Sequence, residues 1–378
     1  MDNKTETSRR GLLQGALAAS VASGVLLREA MAAQVSVTPK TINRQWIFKT
    51  RPKGQVSLDN FEYREVPLGD TKLGANEIIV HHKVFTVVPS QRVRMDTGTS
   101  FENGYLPPFP TGEPLSGGGV AEVVLSSDPK FPVGALVQVG MPWTDYSRHS
   151  TAKLAPPLPA GVTAVDVLGT LGGNAQTAYF GLLRVGELKE GETVVVSGAS
   201  GSVGSSVMQI ARIKKCKTIG IAGGADKCAR LVSDYGAFGT IDYKSENIAE
   251  KLKKLVPEGV DVYYDNVGGT ISQDVIDQMR KFGRVTLCGA ISSYDKGELS
   301  PGPRDMLRCI MFSVKMQGFL LPDFSKDRDV ALNDLRKWKE SGQLTAKIDM
   351  RKGFKNIPTG FFSLFSGEKD GQLLIENG

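Results

Sequence analysis

Three glycines, Gly198, Gly201 and Gly204, lie in the stretch SGASGSVG, directly after the apolar run TVVV and directly before residues whose apolar members recur at helical spacing. A strand that turns sharply into a helix leaves unpaired backbone N–H groups at the helix start. Glycines in that turn let a phosphate reach them with no Cβ in the way. A glycine triplet alone is weak, but the strand before it and the helix after it make it the turn of a dinucleotide-binding unit. The next strand, TIGIA, ends on Ala222, Gly223 and Gly224, where an NAD site carries Asp or Glu for the ribose hydroxyls. Lys227 follows shortly after. As a positive point charge it would meet a 2′-phosphate, which predicts NADPH as the cofactor; the alternative is a solvated lysine at a helix start.

Metal chemistry reads poorly in this chain. Catalytic zinc takes three convergent protein ligands and structural zinc usually four. The cysteines are Cys216, Cys228, Cys288 and Cys309, none in a C-x-x-C pair and none in the first half of the chain. The histidines are His81, His82 and His149. His81 and His82 are neighbours on a strand and point to opposite faces. No metal site is expected, and the cysteines are expected to be free, partly buried thiols.

The elements that must hold the glycine turn are legible. From Thr193 onward strands and helices alternate: TVVVSG, helix SVGSSVMQIARIKK, TIGIAG, helix DKCARLVSDYG, TIDY, helix NIAEKLKKLV, VDVYYDN, helix ISQDVIDQMRKFG over 271–283, and RVTLCG. Within the first helix Val203, Val207, Ile210 and Lys214 mark one face. Strands joined by helical crossovers make a parallel, doubly wound sheet. Before this, from Thr41 to about Ala155, short strands such as EIIVHHKVFTVV, GGGVAEVVLSS and GALVQVGM are broken by Gly and Pro. The tail from Ala346 returns to short apolar pieces that would complete this β-rich part.

In their order and spacing, SGASGSVG, GIAGGADKC, IDYKSE, YYDNVGG and GPRDML resemble the zinc-independent prostaglandin reductase and 2-alkenal reductase branch of the medium-chain dehydrogenases and reductases. The likeness runs from INRQWIFKTRPKGQ near residue 42 almost to the C-terminus. It implies an α/β chain in which a Rossmann-type sheet, residues 172–343, is inserted in a smaller β-rich, GroES-like catalytic domain formed by 35–171 plus 344–378. It implies cofactor contacts at Gly201, Ser202, Val203 and Gly204 for the pyrophosphate, and at Lys227 and Tyr243 near the adenosine phosphate. Asn266 and the segment Cys288, Gly289, Ala290, Ile291, Ser292 would follow the nucleotide, with Phe319, Leu320 and Leu321 as a wall near the nicotinamide. Members are commonly dimers through the nucleotide domain.

The activity so implied is NADPH-dependent reduction of the carbon–carbon double bond of α,β-unsaturated ketones and aldehydes. Hydride addition leaves an enolate, which needs a hydrogen-bond donor at its oxygen. Tyr294, on the loop after RVTLCG at the carboxyl end of the sheet, is the candidate; a loop tyrosine packed by its ring is the alternative. The chain departs from the family where DPYMRGRM reads VPSQRVRM, placing Ser90 where tyrosine is common, and where the terminal G-x-N-x-G-K reads GEKDGQ, with Lys369 for Asn and Gln372 for Lys. With Gly117, Gly118 and Gly119, Ser90 would widen the cleft. A quinone reductase, or a nucleotide-binding sensor without turnover, would use the same parts.

Of the 378 residues, the first 32 read as an export signal. SRRGLL carries the adjacent Arg9 and Arg10, a small-residue apolar run reaches Leu27, and Ala30-Met31-Ala32 is a small-x-small cleavage pattern. This resembles the twin-arginine signal, whose machinery moves folded, cofactor-loaded proteins, and predicts a periplasmic or secreted protein cleaved near Ala32. A basic N-terminus of a cytoplasmic protein is the alternative. Net charge is +6, but basic residues alternate with acids, as in SENIAEKLKKLVPEG, which argues against a nucleic-acid partner.

Overall fold

The computed structural model describes residues 37–97, 107–296, 301–303, 305–369 and 371–378. The export signal with its cleavage site, and Arg304 of GPRDML, lie outside them.

Six parallel strands form one sheet: β7 (Thr193–Ser197), β8 (Lys217–Ala222), β9 (Gly239–Asp242), β10 (Val260–Asp265), β11 (Met279–Leu287) and β12 (Lys315–Gly318). Their order across the sheet is β12-β11-β10-β7-β8-β9, so the winding reverses between β7 and β10. Strands buried on both faces read as continuous apolar runs, and side chains alternate between two cores. Val194, Val196, Val262 and Tyr264 pack into one, with Val207, Met208 and Ile210 of the helix Ser202–Ile213. Val195, Ile219, Val260 and Tyr263 pack into the other.

The chain before this sheet forms an antiparallel pair, β1 (Ile42–Phe48) with β2 (Phe61–Pro67), and most of a second, mixed sheet. In that sheet β3 (Glu77–Thr86) pairs with β4 (Ser116–Ser126) and β6 (Tyr146–Ser150), and β4 with β5 (Leu136–Pro142). The tail adds β13 (Ile348–Lys352) and β14 (Gln372–Glu376), with β14 antiparallel to β3. A core of Trp46, Phe48, Phe85, Trp143, Phe354 and Phe361 therefore joins the two ends of the chain.

Two expectations are corrected. The helix read over 271–283 spans only Gly269–Ile276, and β11 already starts at Met279. Met279 is fully buried and pairs with Val260, whose N–H donates to the Gln278 carbonyl, so the need to fill the sheet overrides the helical character of MRKFG. Gly117, Gly118 and Gly119 do not widen the cleft. They lie in β4 and off the cavity lining, and a Cβ on Gly119 would come within 2.2 Å of the Val84 carbonyl and 2.4 Å of the Met141 sulfur, so that glycine permits close packing within the mixed sheet. The four cysteines are free.

Candidate active site

A cavity of about 1000 Å³ opens at the carboxyl ends of β7 and β10, where the winding reverses, which is where sheets of this class hold ligands. Its floor is the glycine turn. Gly198 has φ +60°, a backbone region that suits glycine, and its carbonyl accepts from the Gly201 N–H at 3.0 Å. A Cβ on Gly204 would stand 2.3 Å from the Gly198 oxygen, so only glycine lets the helix Ser202–Ile213 start this close to β7. No side chain caps that helix, and Gly201, Ser202, Val203 and Gly204 all line the cavity. An anion there would meet uncapped N–H groups.

At the adenosine end, β8 stops at Ala222 without a carboxylate. Tyr243 covers the next residue so closely that a Cβ on Gly223 would come within 2.8 Å of its ring. The neighbouring acid, Asp242, is turned into its own bend, accepting from the N–H groups of Gly224 and Lys244 and from the Ser245 hydroxyl at 2.8–3.0 Å. Lys227 lines the cavity and donates to the Gly367 carbonyl at 2.6 Å. The glycine cradle, the uncapped helix and a lysine in place of the ribose-binding acid fit a dinucleotide carrying a 2′-phosphate.

The other end is organised by Asp265, at the tip of β10. Its carboxylate accepts from Ser197 and from the N–H groups of Val267 and Gly268, each at 2.9 Å, and from Ser272. Its carbonyl accepts from the N–H groups of Cys288 and Gly289. This binds the loops after β7, β10 and β11 into one rim, with Asn266, Cys288, Gly289, Ile291, Ser292 and Tyr294 on the cavity wall. Burial pushes the Cys288 thiol up to about 11, which leaves it protonated rather than nucleophilic.

Tyr294 ends the short helix Ile291–Tyr294, and its hydroxyl oxygen accepts from the Ala290 N–H at 3.0 Å. That bond occupies the oxygen and leaves the hydroxyl proton to donate elsewhere. Burial raises the pKa of the phenol above its ordinary value, so the proton stays on. The next residue, Asp295, is clamped by the N-terminal part of the chain: it accepts from Arg92 Nε at 2.9 Å and from the Val56 N–H at 2.8 Å. Arg92 is itself buried and donates further to Asp96 and to the Gly54 carbonyl. The motif reading missed this pair. Val87, Val88, Pro89 and Ser90 complete the wall from the same side.

Four of the expected cofactor residues stand off the wall. Ala290 contributes its N–H to Tyr294, and Leu320 is exposed without lining the cavity. Phe319 and Leu321 pack against the core under Tyr264, with Phe319 6.1 Å from Phe324. Gly181 must be glycine because a Cβ there would meet Phe319 at 2.6 Å.

Residues 44–156 match the N-terminal domain of oxidoreductase family, and residues 202–336 the zinc-binding dehydrogenase family. Among the described residues no three His, Cys, Asp or Glu side chains converge in a group that could hold a metal ion. His82, for example, is buried between the Thr144 carbonyl and Ser147, each at 2.6 Å. The chain is 37% identical over 339 residues to prostaglandin reductase 1 of Bos taurus, covering 88% of this chain and 98% of that one. It is 33% identical over 342 residues to the NADPH-dependent curcumin reductase of Escherichia coli (strain K12), covering 89% and 97%. The crystal structure of CurA from Vibrio vulnificus in complex with NADPH superposes with a TM-score of 0.81 at 31% identity, over 89% of this chain and 99% of that one. The chain therefore belongs to the medium-chain dehydrogenases and reductases, in their zinc-independent, NADP-dependent prostaglandin reductase and 2-alkenal reductase branch.

Proposed function

We propose that this protein reduces the carbon–carbon double bond of an α,β-unsaturated ketone or aldehyde, with Tyr294 as the donor to the enolate oxygen. The observation that carries the reading is a phenol that keeps its proton, has its oxygen held by Ala290, and lines the same cavity as the glycine cradle. NADPH supplies the hydride when bound. The glycine turn and the uncapped helix would hold its pyrophosphate, with Gly198 to Gly204 as the cradle, Lys227 and Tyr243 at the adenosine end, and Asn266 to Ser292 along the nucleotide. The chain's other contribution is to exclude water and hold the acceptor against the nicotinamide, through Val87 to Ser90 and the Arg92–Asp295 clamp.

The test is the decay of NADPH absorbance with purified protein against a panel of enones, enals and quinones. Rapid decay with enones or enals supports the reading, and decay with quinones alone would replace it with a quinone reductase. Tight NADPH binding with no decay would leave a nucleotide-binding sensor.

The proposal extends to address and assembly. The Arg9-Arg10 signal supports export through the twin-arginine machinery to the periplasm or beyond. Cell fractionation with an Arg9→Lys, Arg10→Lys variant tests it, since that variant should stay unprocessed inside the cell. We place the division between the two units at 171/172 and 343/344, and propose a homodimer.

A further inference from the structure

The tail after the helix Ile357–Ser366 departs from the family pattern at Lys369 and Gln372, and the two residues have separate structural roles. Gln372 is buried with its amide committed: Nε2 donates to the Leu168 carbonyl at 2.7 Å and Oε1 accepts from the Ser202 hydroxyl at 3.1 Å. Together with the bridge between Gly371 and Gly201, this pins one end of the tail loop to the phosphate turn. The other end is held by Lys227, through its bond to the Gly367 carbonyl. Lys369 stands between these anchors and lines the cavity with Lys227 and Tyr243. It has no hydrogen-bond or ion-pair partner among the described residues. Two ammonium groups gathered at one cavity wall repel each other, and an anion bound between them would relieve that repulsion.

We propose that Lys369 and Lys227 together seat the 2′-phosphate of the cofactor. The proposal rests on NADPH being the cofactor and adds a selectivity residue to it. Burial and the charge of Lys227 pull Lys369 down to about 8, opposed by Asp349, as expected for a cation whose counter-ion arrives with a ligand.

Calorimetric binding of adenosine 2′,5′-bisphosphate and of adenosine 5′-monophosphate to the full chain tests this without turnover. The unaltered protein should prefer the bisphosphate by at least ~10-fold. Lys369→Gln should lose roughly tenfold for the bisphosphate and less than about twofold for the monophosphate, as the loss of one charge-assisted contact implies. Lys369→Arg should keep the preference, which excludes simple misfolding as the cause. Equal losses for both ligands would put Lys369 at the 5′-phosphate, and no loss would put it at neither; either result overturns the proposal. An unaltered protein that binds both ligands equally would remove the NADPH reading and this proposal with it.

Discussion

A phenol can support a developing enolate only while it keeps its own proton and has that proton to give. Tyr294 meets both conditions, because burial raises its pKa and the Ala290 N–H already occupies its oxygen. Tyr294→Phe should therefore leave the fold and NADPH affinity intact and lower turnover by about 10²-fold, as for the loss of one oxyanion donor. Steady-state kinetics with an active enone would show it, and unchanged turnover would take Tyr294 out of the mechanism. Lys369 gives a second prediction at this scale, with a definite sign. Its pKa in the free protein lies near 8, below the ordinary lysine value, and a bound phosphate favours the charged form. Affinity for NADPH should be level from pH ~6.5, above the phosphate's second ionisation near ~6, to about 8. It should then fall as pH rises through 8 and beyond. Titration across pH 7 to 10 should show that fall in the unaltered protein and a flatter profile in Lys369→Gln. The charges facing Lys369 are Lys227 and Asp349, with Tyr243 and Glu246 on the same wall. The glycines, Lys227 and Tyr294 were legible in the sequence because each sits at a fixed offset from a strand end. Arg92 and Asp295 were not, since 203 residues separate them and only the folded chain makes them partners.

Among the elements, the glycine turn couples helix position to ligand binding. Gly204 sits where the first turn of the helix Ser202–Ile213 crosses the Gly198 carbonyl, and an added Cβ would also come within 2.7 Å of the Ala199 Cα. Both obstacles are backbone, so Gly204→Ala must push the helix away from β7. Overpacking of this kind costs about 1–3 kcal/mol, and the displaced N–H groups should weaken NADPH by about tenfold or more. Fluorescence titration of NADPH, with thermal melting alongside, checks this; wild-type affinity in Gly204→Ala would mean that the helix start does not hold the pyrophosphate. The alternation of strand and helix from Thr193 onward was readable because each crossover is local and the central strands carry apolar runs such as VVV in β7 and IGIA in β8. The reading failed at MRKFG, where a basic stretch ending in glycine imitates a helix C-terminus. Only the long-range pairing of Met279 with Val260 converts it to a strand. The pairing of β14 with β3 is of the same kind, fixed by a core that both chain ends must share.

The whole molecule presents one surface that a soluble monomer would leave costly. Among the described residues β12 is the last strand of the parallel sheet and has β11 as its one strand partner. Next to it the helix Leu307–Met311 exposes Leu307, Ile310 and Met311, with Ile310 73% accessible. Phe282, 65% accessible, joins the same patch, since its N–H donates to the Phe312 carbonyl just beyond that helix. An edge strand beside clustered apolar side chains invites strand addition. A second copy related by a two-fold axis would cover both features at once, because each edge would meet its own equivalent. None of these residues lines the cavity, so assembly and cofactor binding are separable. Light scattering at micromolar concentration should therefore find a dimer. Ile310→Asp should place two unpaired charges across the axis and shift the protein toward monomer, with NADPH affinity within about twofold of the unaltered protein. A monomeric unaltered protein would mean that this edge is covered by another partner. A dimer indifferent to Ile310→Asp would mean that the two copies meet elsewhere.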